Sequence, residues 1–150
     1  MSFSIHVRGA LHGWLTIEVT LGAELCSFDA SDVYNNPLQE LAELALFFAS
    51  GARGARGVEF HIEPNHFELR AVYDEDLELQ LVHVEDVARG VHQATRVAAE
   101  RPAPIAAARE ILRCLRAAQP LVSALSFDRA RVWDEPFPEL AVARLAAVFD

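Results

Sequence analysis

The start of the chain alternates between apolar and polar side chains with a period of two. Residues 3–8 follow this pattern strictly, and residues 14–20 repeat it. A period of two with many β-branched and aromatic residues is typical of β-strands. Because Gly9 and Gly13 bracket the connection between the two segments, we predict that they form a β-hairpin.

Three further alternating segments predict a meander in the middle of the chain. They span residues 58–63, 67–73 and 77–81, and short polar stretches with turn-forming residues separate them. Each segment is apolar on one side and polar on the other, which is typical of an antiparallel sheet with one face on a core. We therefore expect the polar side of the meander to face water or a partner.

Two stretches lack a clear period. Residues 51–57 have a glycine at every third position, and we interpret them as a flexible surface loop. Residues 87–101 are ambiguous, and we predict a loop followed by a strand near residues 95–99.

Three segments carry apolar residues at helical spacing. The first begins after Asn36, a good N-cap residue, with Pro37 at the first helical position and Gly51 as the stop. The second is predicted over residues 105–118, with Pro120 ending it. In the third, Glu139–Phe149, the residues expected to face inward are Leu140, Ala143, Ala147 and Val148. Trp133, shortly before this helix, is expected to close the core as a lid.

Together these elements predict a single α+β domain over residues 1–150. The expected architecture is a mostly antiparallel sheet of about five strands, with two to three helices packed on one face. A chain of 150 residues with 52% apolar residues is long enough to bury a core of its own.

The charge balance narrows the classes of partner. Acidic residues outnumber basic residues 22 to 13, for a net charge of -9. This argues against nucleic-acid binding, which needs clustered cations, and is compatible with a basic protein partner. All 13 basic residues are arginine, a bias that together with the frequent alanine is typical of a GC-rich bacterial genome.

Sequence features at the N-terminus and along the chain predict a cytoplasmic protein. The first residues do not have the apolar stretch of a signal peptide, and no segment approaches the run of about 18 apolar residues that a membrane span needs. Cys26 and Cys114 resemble neither a metal pair nor a disulfide framework, so we interpret them as two buried thiols.

The sequence contains no recognisable catalytic or cofactor-binding motif, and we predict neither catalytic residues nor a cofactor. One candidate metal set is His61 with Glu59 and Glu63, which share one side of a predicted strand and which a neighbouring strand could complete. A solvated strand face, with its carboxylates paired to Arg70, explains the same residues more simply. We therefore predict no metal site.

A likeness to known proteins extends over most of the chain. It is carried by the hairpin with Trp14, the helix start at residues 32–41, the carboxylate-rich meander, and the sequence from Trp133 to Pro138 before a short helix. This arrangement resembles a group of small uncharacterised bacterial proteins. In size, charge and architecture it also resembles the immunity proteins of bacterial polymorphic toxin systems, which implies a role in toxin neutralisation but no active site.

We therefore predict a non-catalytic protein-binding domain that acts as an immunity protein against a basic toxin. The residues expected to bind the partner are Glu59, His61, Glu63, Glu68, Arg70, Asp74, Glu75, Asp76 and Glu78. The first alternative is a small-ligand-binding or regulatory domain with a pocket between sheet and helices. The others are a metal-dependent enzyme that uses the histidines, and a homodimer interface.

Overall fold

The described part of the chain folds into two antiparallel sheets and three helices. The structure is a computed structural model and describes residues 2–88, 90–124, 133 and 135–150. Sheet A contains, in order, β1 (Phe3–Leu11), β2 (Trp14–Leu21) and β3 (Glu24–Ser31). Sheet B contains, in order, β4 (Gly54–His61), β5 (His66–Tyr73), β6 (Leu77–Ala88) and β7 (Val91–Glu100). The helices are α1 (Pro37–Ala49), α2 (Pro104–Val122) and α3 (Glu139–Phe149). The predicted α+β class with antiparallel strands is confirmed.

The predicted number of strands was too low, since the described chain has seven strands in two sheets rather than about five in one. Strand β3 was not predicted, because its alternation is weak and it exposes Leu25 to solvent. Strand β4 begins at Gly54, inside the predicted glycine loop, where pairing with β5 holds the chain extended. Strand β7 is longer than predicted, because it pairs with β6 along almost its whole length although its first residues are exposed.

The predicted hairpin is confirmed, but its turn lies further along the chain. Strand β1 passes Gly9 with a bulge and continues to Leu11, so His12 and Gly13 form the turn. Gly13 has a φ of 81°, and a Cβ there would lie 3.0 Å from a carboxylate oxygen of Asp32. This turn therefore requires glycine for both its backbone conformation and its space.

Helix α1 begins and packs as the sequence predicts. The side-chain oxygen of Asn36 accepts a hydrogen bond of 3.3 Å from the amide of Gln39, which caps the helix. The predicted apolar stripe of α1 is buried throughout: Leu38, Leu41, Leu44, Ala45 and Phe48.

Two helix predictions were wrong. Helix α2 continues past Pro120 to Val122, so the proline lacks one helical hydrogen bond but does not end the helix. In α3, Leu140 and Val148 are 67% and 51% exposed, whereas Ala141 and Leu145 are buried. A helix with small apolar residues all round has no strong preferred face, so packing against the other helices decides its orientation.

Both sheets and all three helices contribute to one continuous core. Phe28 of β3 joins the sheets, since its ring stacks on Phe67 at 4.5 Å and lies 5.3 Å from Phe60. Trp133 is 1% exposed within this core, which confirms the predicted lid. No helix in the described ranges is long and apolar enough to cross a membrane.

Side chains from α2 bind the open edge of sheet A. The Glu110 carboxylate accepts a hydrogen bond of 3.1 Å from the Ile5 amide, and the Arg113 guanidinium donates one of 2.8 Å to the Ile5 carbonyl. Burial raises the pKa of Glu110, but hydrogen bonds from Arg113 and Ile5 and the charge of Arg113 outweigh it, so the pKa is lowered overall. This clamp satisfies backbone groups that an edge strand would otherwise leave unpaired.

Candidate functional site

The polar side of sheet B carries the candidate site, and we name it the outer face. Strand pairing sets Glu59 directly opposite Glu68, and His61 directly opposite His66. Arg70 follows Glu68 on the same side of β5, because side chains two residues apart in a strand share a face. The opposite side of these strands packs into the core, so the outer face is held on a rigid support.

Five side chains of the outer face form a cluster, which we name the imidazole–carboxylate cluster: Glu59, His61, His66, Glu68 and Arg70. Nε2 of His61 lies 3.0 Å from Oε2 of Glu59, and Nε of Arg70 lies 3.0 Å from Oε1 of Glu68. The His61 and His66 rings are 5.0 Å apart between centroids. Ligand atoms of Glu59, His66 and Glu68 all lie within 4.8 Å of one another.

The electrostatics of the cluster favour a neutral imidazole at His66. Burial lowers the pKa of His66, and the nearby His61 and His92 lower it too, against the opposing effect of Glu59 and Glu68. The net shift is downward from the ordinary value of 6.5. A neutral imidazole keeps a lone pair on one ring nitrogen, which can accept a hydrogen bond or bind a metal.

Residues outside the cluster fix the strand that carries Glu59. The Asn35 side chain donates a hydrogen bond of 2.7 Å to the Glu59 carbonyl and another to the Glu40 carboxylate. Glu40 in turn accepts a 3.4 Å hydrogen bond from the Glu59 amide, and burial raises the pKa of Glu40. Helix α1 thus binds the edge of sheet B much as α2 binds that of sheet A.

Gly57 provides the space that the Glu68 side chain occupies. A Cβ at Gly57 would lie 2.8 Å from Oε1 of Glu68, closer than non-bonded atoms approach. On the neighbouring strand β6, Val82 and Val84 are opposite Glu68 and His66, and both valines are buried. The cluster is therefore bordered by buried valines on the β6 side, and by the space that Gly57 leaves on the β4 side.

A second feature, which we name the acidic groove, lies at the end of sheet B where β5 turns into β6. Its volume is about 300 Å³, and its lining residues are Val72, Asp74, Glu75, Asp76, Glu78 and Arg101. Nε of Arg101 lies 3.3 Å from Oε2 of Glu78. A hydrogen bond from Gln80 has the largest effect on the pKa of Glu78 and lowers it, desolvation opposes this, and Arg101 lowers the pKa further, so the net shift is downward.

The structure divides the predicted partner-binding residues into two groups. Glu59, His61, Glu68 and Arg70 meet in the imidazole–carboxylate cluster, whereas Asp74, Glu75, Asp76 and Glu78 line the acidic groove. Glu63 belongs to neither group, because it lies in the turn after β4 with a φ of 48°.

One residue of the cluster was missing from the predicted set. His66 lies outside the predicted meander strands, whereas β5 begins at His66 and pairs it with His61. The signal that could have found it is the even spacing of His66, Glu68 and Arg70, which puts all three on one side of an extended chain.

The chain was compared with family models, curated proteins and solved structures. None of the three comparisons found a match. Function is therefore inferred from the geometry and charge of the outer face.

Proposed function

We propose that this protein is a non-catalytic protein-binding domain that docks a basic protein partner in the acidic groove. The observation that carries the proposal is the composition of the groove, which four carboxylates line together with Val72, whose side chain is 49% exposed. Arg101 pairs with only one of the four, Glu78. An arginine or lysine of a partner can lay its aliphatic stem on Val72 and place its cation among the carboxylates.

The charge of the whole chain supports the same class of partner. A net charge of -9 attracts a basic protein over a distance of about 10 Å at moderate ionic strength. Such steering raises association rates and favours basic partners over acidic ones. We propose that the partner is the toxin of a bacterial polymorphic toxin system, which this chain neutralises in the cytoplasm as an immunity protein.

Capture from the native host tests the proposal directly. The wild-type protein, immobilised without a His tag, is expected to retain a basic protein that a variant with Asp74→Lys, Glu75→Lys and Asp76→Lys does not retain. A toxin gene next to the gene of this chain would supply the same partner in pure form. If wild type and variant retain the same proteins in equal amounts, the groove is not the docking site.

The same charge reversal is expected to slow association with the purified partner by about tenfold or more at low salt. The effect should shrink as salt is added, because the lost attraction acts between solvent-exposed charges. Stopped-flow fluorescence at several ionic strengths measures both effects.

A matched control changes the net charge by the same amount elsewhere on the surface. Three exposed glutamates lie outside sheet B: Glu24, Glu43 and Glu139. Replacing all three with lysine separates the effect of charge in the acidic groove from the effect of the net charge of the protein. An equal loss of rate in this control would mean that net charge alone drives association and that the groove has no special role.

A further inference from the structure

We propose that Glu59, His66 and Glu68 form a binding site for a divalent transition-metal ion such as Zn²⁺. The three residues come from two neighbouring strands, and their ligand atoms already lie within 4.8 Å of one another. This site is separate from the acidic groove and goes beyond the docking function. It also differs from the set suggested by sequence spacing, because His66 and Glu68 take the places of His61 and Glu63 beside Glu59.

The donor atoms select the class of ion. An imidazole nitrogen suits Zn²⁺ and other late first-row metals, whereas Mg²⁺ and Ca²⁺ prefer sites made of oxygen alone. One imidazole and two carboxylates make a three-ligand set of the kind that leaves further coordination positions to water.

The strand register supplies an electrostatic reason for a cation. Glu59 and Glu68 are directly opposite each other, and like charges in this position destabilise a sheet. Their present partners are His61 and Arg70. A divalent ion between the two carboxylates would offset their repulsion while leaving Arg70 to hold Glu68.

Residues around the three donors have the arrangement expected of supporting groups. Arg70 orients the carboxylate of Glu68, and His61 orients that of Glu59. Hydrogen bonds of this kind fix ligating carboxylates in metal sites. Asn35 donates a hydrogen bond to the Glu59 carbonyl, and Glu40 accepts one from the Glu59 amide. The backbone position from which the Glu59 side chain extends is therefore fixed.

Only side-chain rotation is needed to close the site. Donor atoms of a tetrahedral zinc site lie about 3.3 Å apart, as follows from bond lengths near 2 Å. Glu59 is exposed, and its carboxylate can rotate about its contact with His61 to face His66. The backbone positions of both strands can therefore stay as they are.

Calorimetric titration of the full chain, purified without a His tag, with Zn²⁺ tests the site. We expect one ion to bind per chain, and Glu59→Gln, His66→Gln and Glu68→Gln each to weaken binding by about tenfold or more. Histidine NMR signals provide a second readout, in which the His66 ring should shift on addition of Zn²⁺. Circular dichroism and urea unfolding establish that each variant is folded, and exposed Glu59 provides the variant least able to disturb the fold.

His83→Gln is the matched control, because His83 lies 3.9 Å from Glu85 and so forms another imidazole–carboxylate pair on sheet B. The His83→Gln variant should bind Zn²⁺ with the affinity of the wild-type protein. A variant with Asp74→Asn, Glu75→Gln and Asp76→Asn should also bind Zn²⁺ with wild-type affinity. The proposal is overturned if Zn²⁺ does not bind, if the His66 and Glu59 variants bind as wild type does, or if Ca²⁺ binds in preference to Zn²⁺. If the variants of the metal site lose Zn²⁺ binding but keep docking, or the variants of the acidic groove lose docking but keep Zn²⁺ binding, the two sites are independent.

Discussion

Replacing Phe60 with alanine is expected to lower the free energy of unfolding by about 3–5 kcal/mol. Phe60 is fully buried on the core side of β4, and its ring packs against Phe28 of sheet A at 5.3 Å between centroids. The substitution removes apolar contacts and leaves a cavity where the two sheets meet, and rigid strands on both sides limit how far that cavity can collapse. Urea unfolding followed by circular dichroism measures the change.

A loss of this size would be a large part of the stability of an ordinary domain, which is about 5–15 kcal/mol. Val91→Ala is a suitable control, since Val91 is 54% exposed and its replacement should change the free energy by less than about 0.5 kcal/mol. A loss below about 1 kcal/mol for Phe60→Ala would contradict the packing of sheet A on sheet B through the Phe28 and Phe60 rings.

The second large effect is expected at the clamp between α2 and β1. Glu110→Ala leaves the Ile5 amide without its acceptor and removes the carboxylate partner of Arg113. An unsatisfied and partly buried donor costs about 1–3 kcal/mol, so we expect a loss of stability in that range. Arg116→Ala on the same helix breaks only an exposed pair with Asp150 and should cost less than about 1 kcal/mol. Equal effects for the two variants would contradict the clamp.

Glu110 should also make the stability of the protein depend measurably on pH. The pKa of Glu110 is lower in the folded chain than its ordinary value of 4.5. Its contribution is therefore fully present above pH 4.5 and is lost as the pH falls through the folded-state pKa. The difference in unfolding free energy between wild type and Glu110→Gln should be largest near neutral pH and shrink in acid. A difference that stays constant down to pH 3 would rule out this linkage.

Local sequence patterns were sufficient to predict the helices and strands that carry a clear cap or a clear apolar period of their own. Helix α1 carries its cap at Asn36 and a continuous apolar stripe, and the strands of the meander alternate with few exceptions such as Val72. Strand β3 and the first half of β7 have weak or exposed patterns, and only pairing with β2 and β6 holds them extended. The orientation of α3 likewise depends on its neighbours, which no local period encodes.

The candidate site shows the same limit for function. The placement of Glu59, His61, Glu68 and Arg70 on the outer face was predicted correctly, since alternation alone assigns them to the polar side of their strands. Their grouping depends on register between strands, which brought His66 into the cluster and left Glu63 in a turn. A register between two strands is a tertiary property, and one extra residue in the turn would have changed it.

The far part of the β6–β7 hairpin is expected to tolerate change for a simple geometric reason. Its described residues from Glu85 to Val97 are all exposed, so they contribute little to the core. Amides in this segment should exchange with solvent sooner than those of Leu77 to Leu81, because opening it separates no buried side chains. Insertions and substitutions there can accumulate at little cost to folding, which makes this hairpin the part of sheet B most free to diverge among related sequences and the natural position for an inserted label.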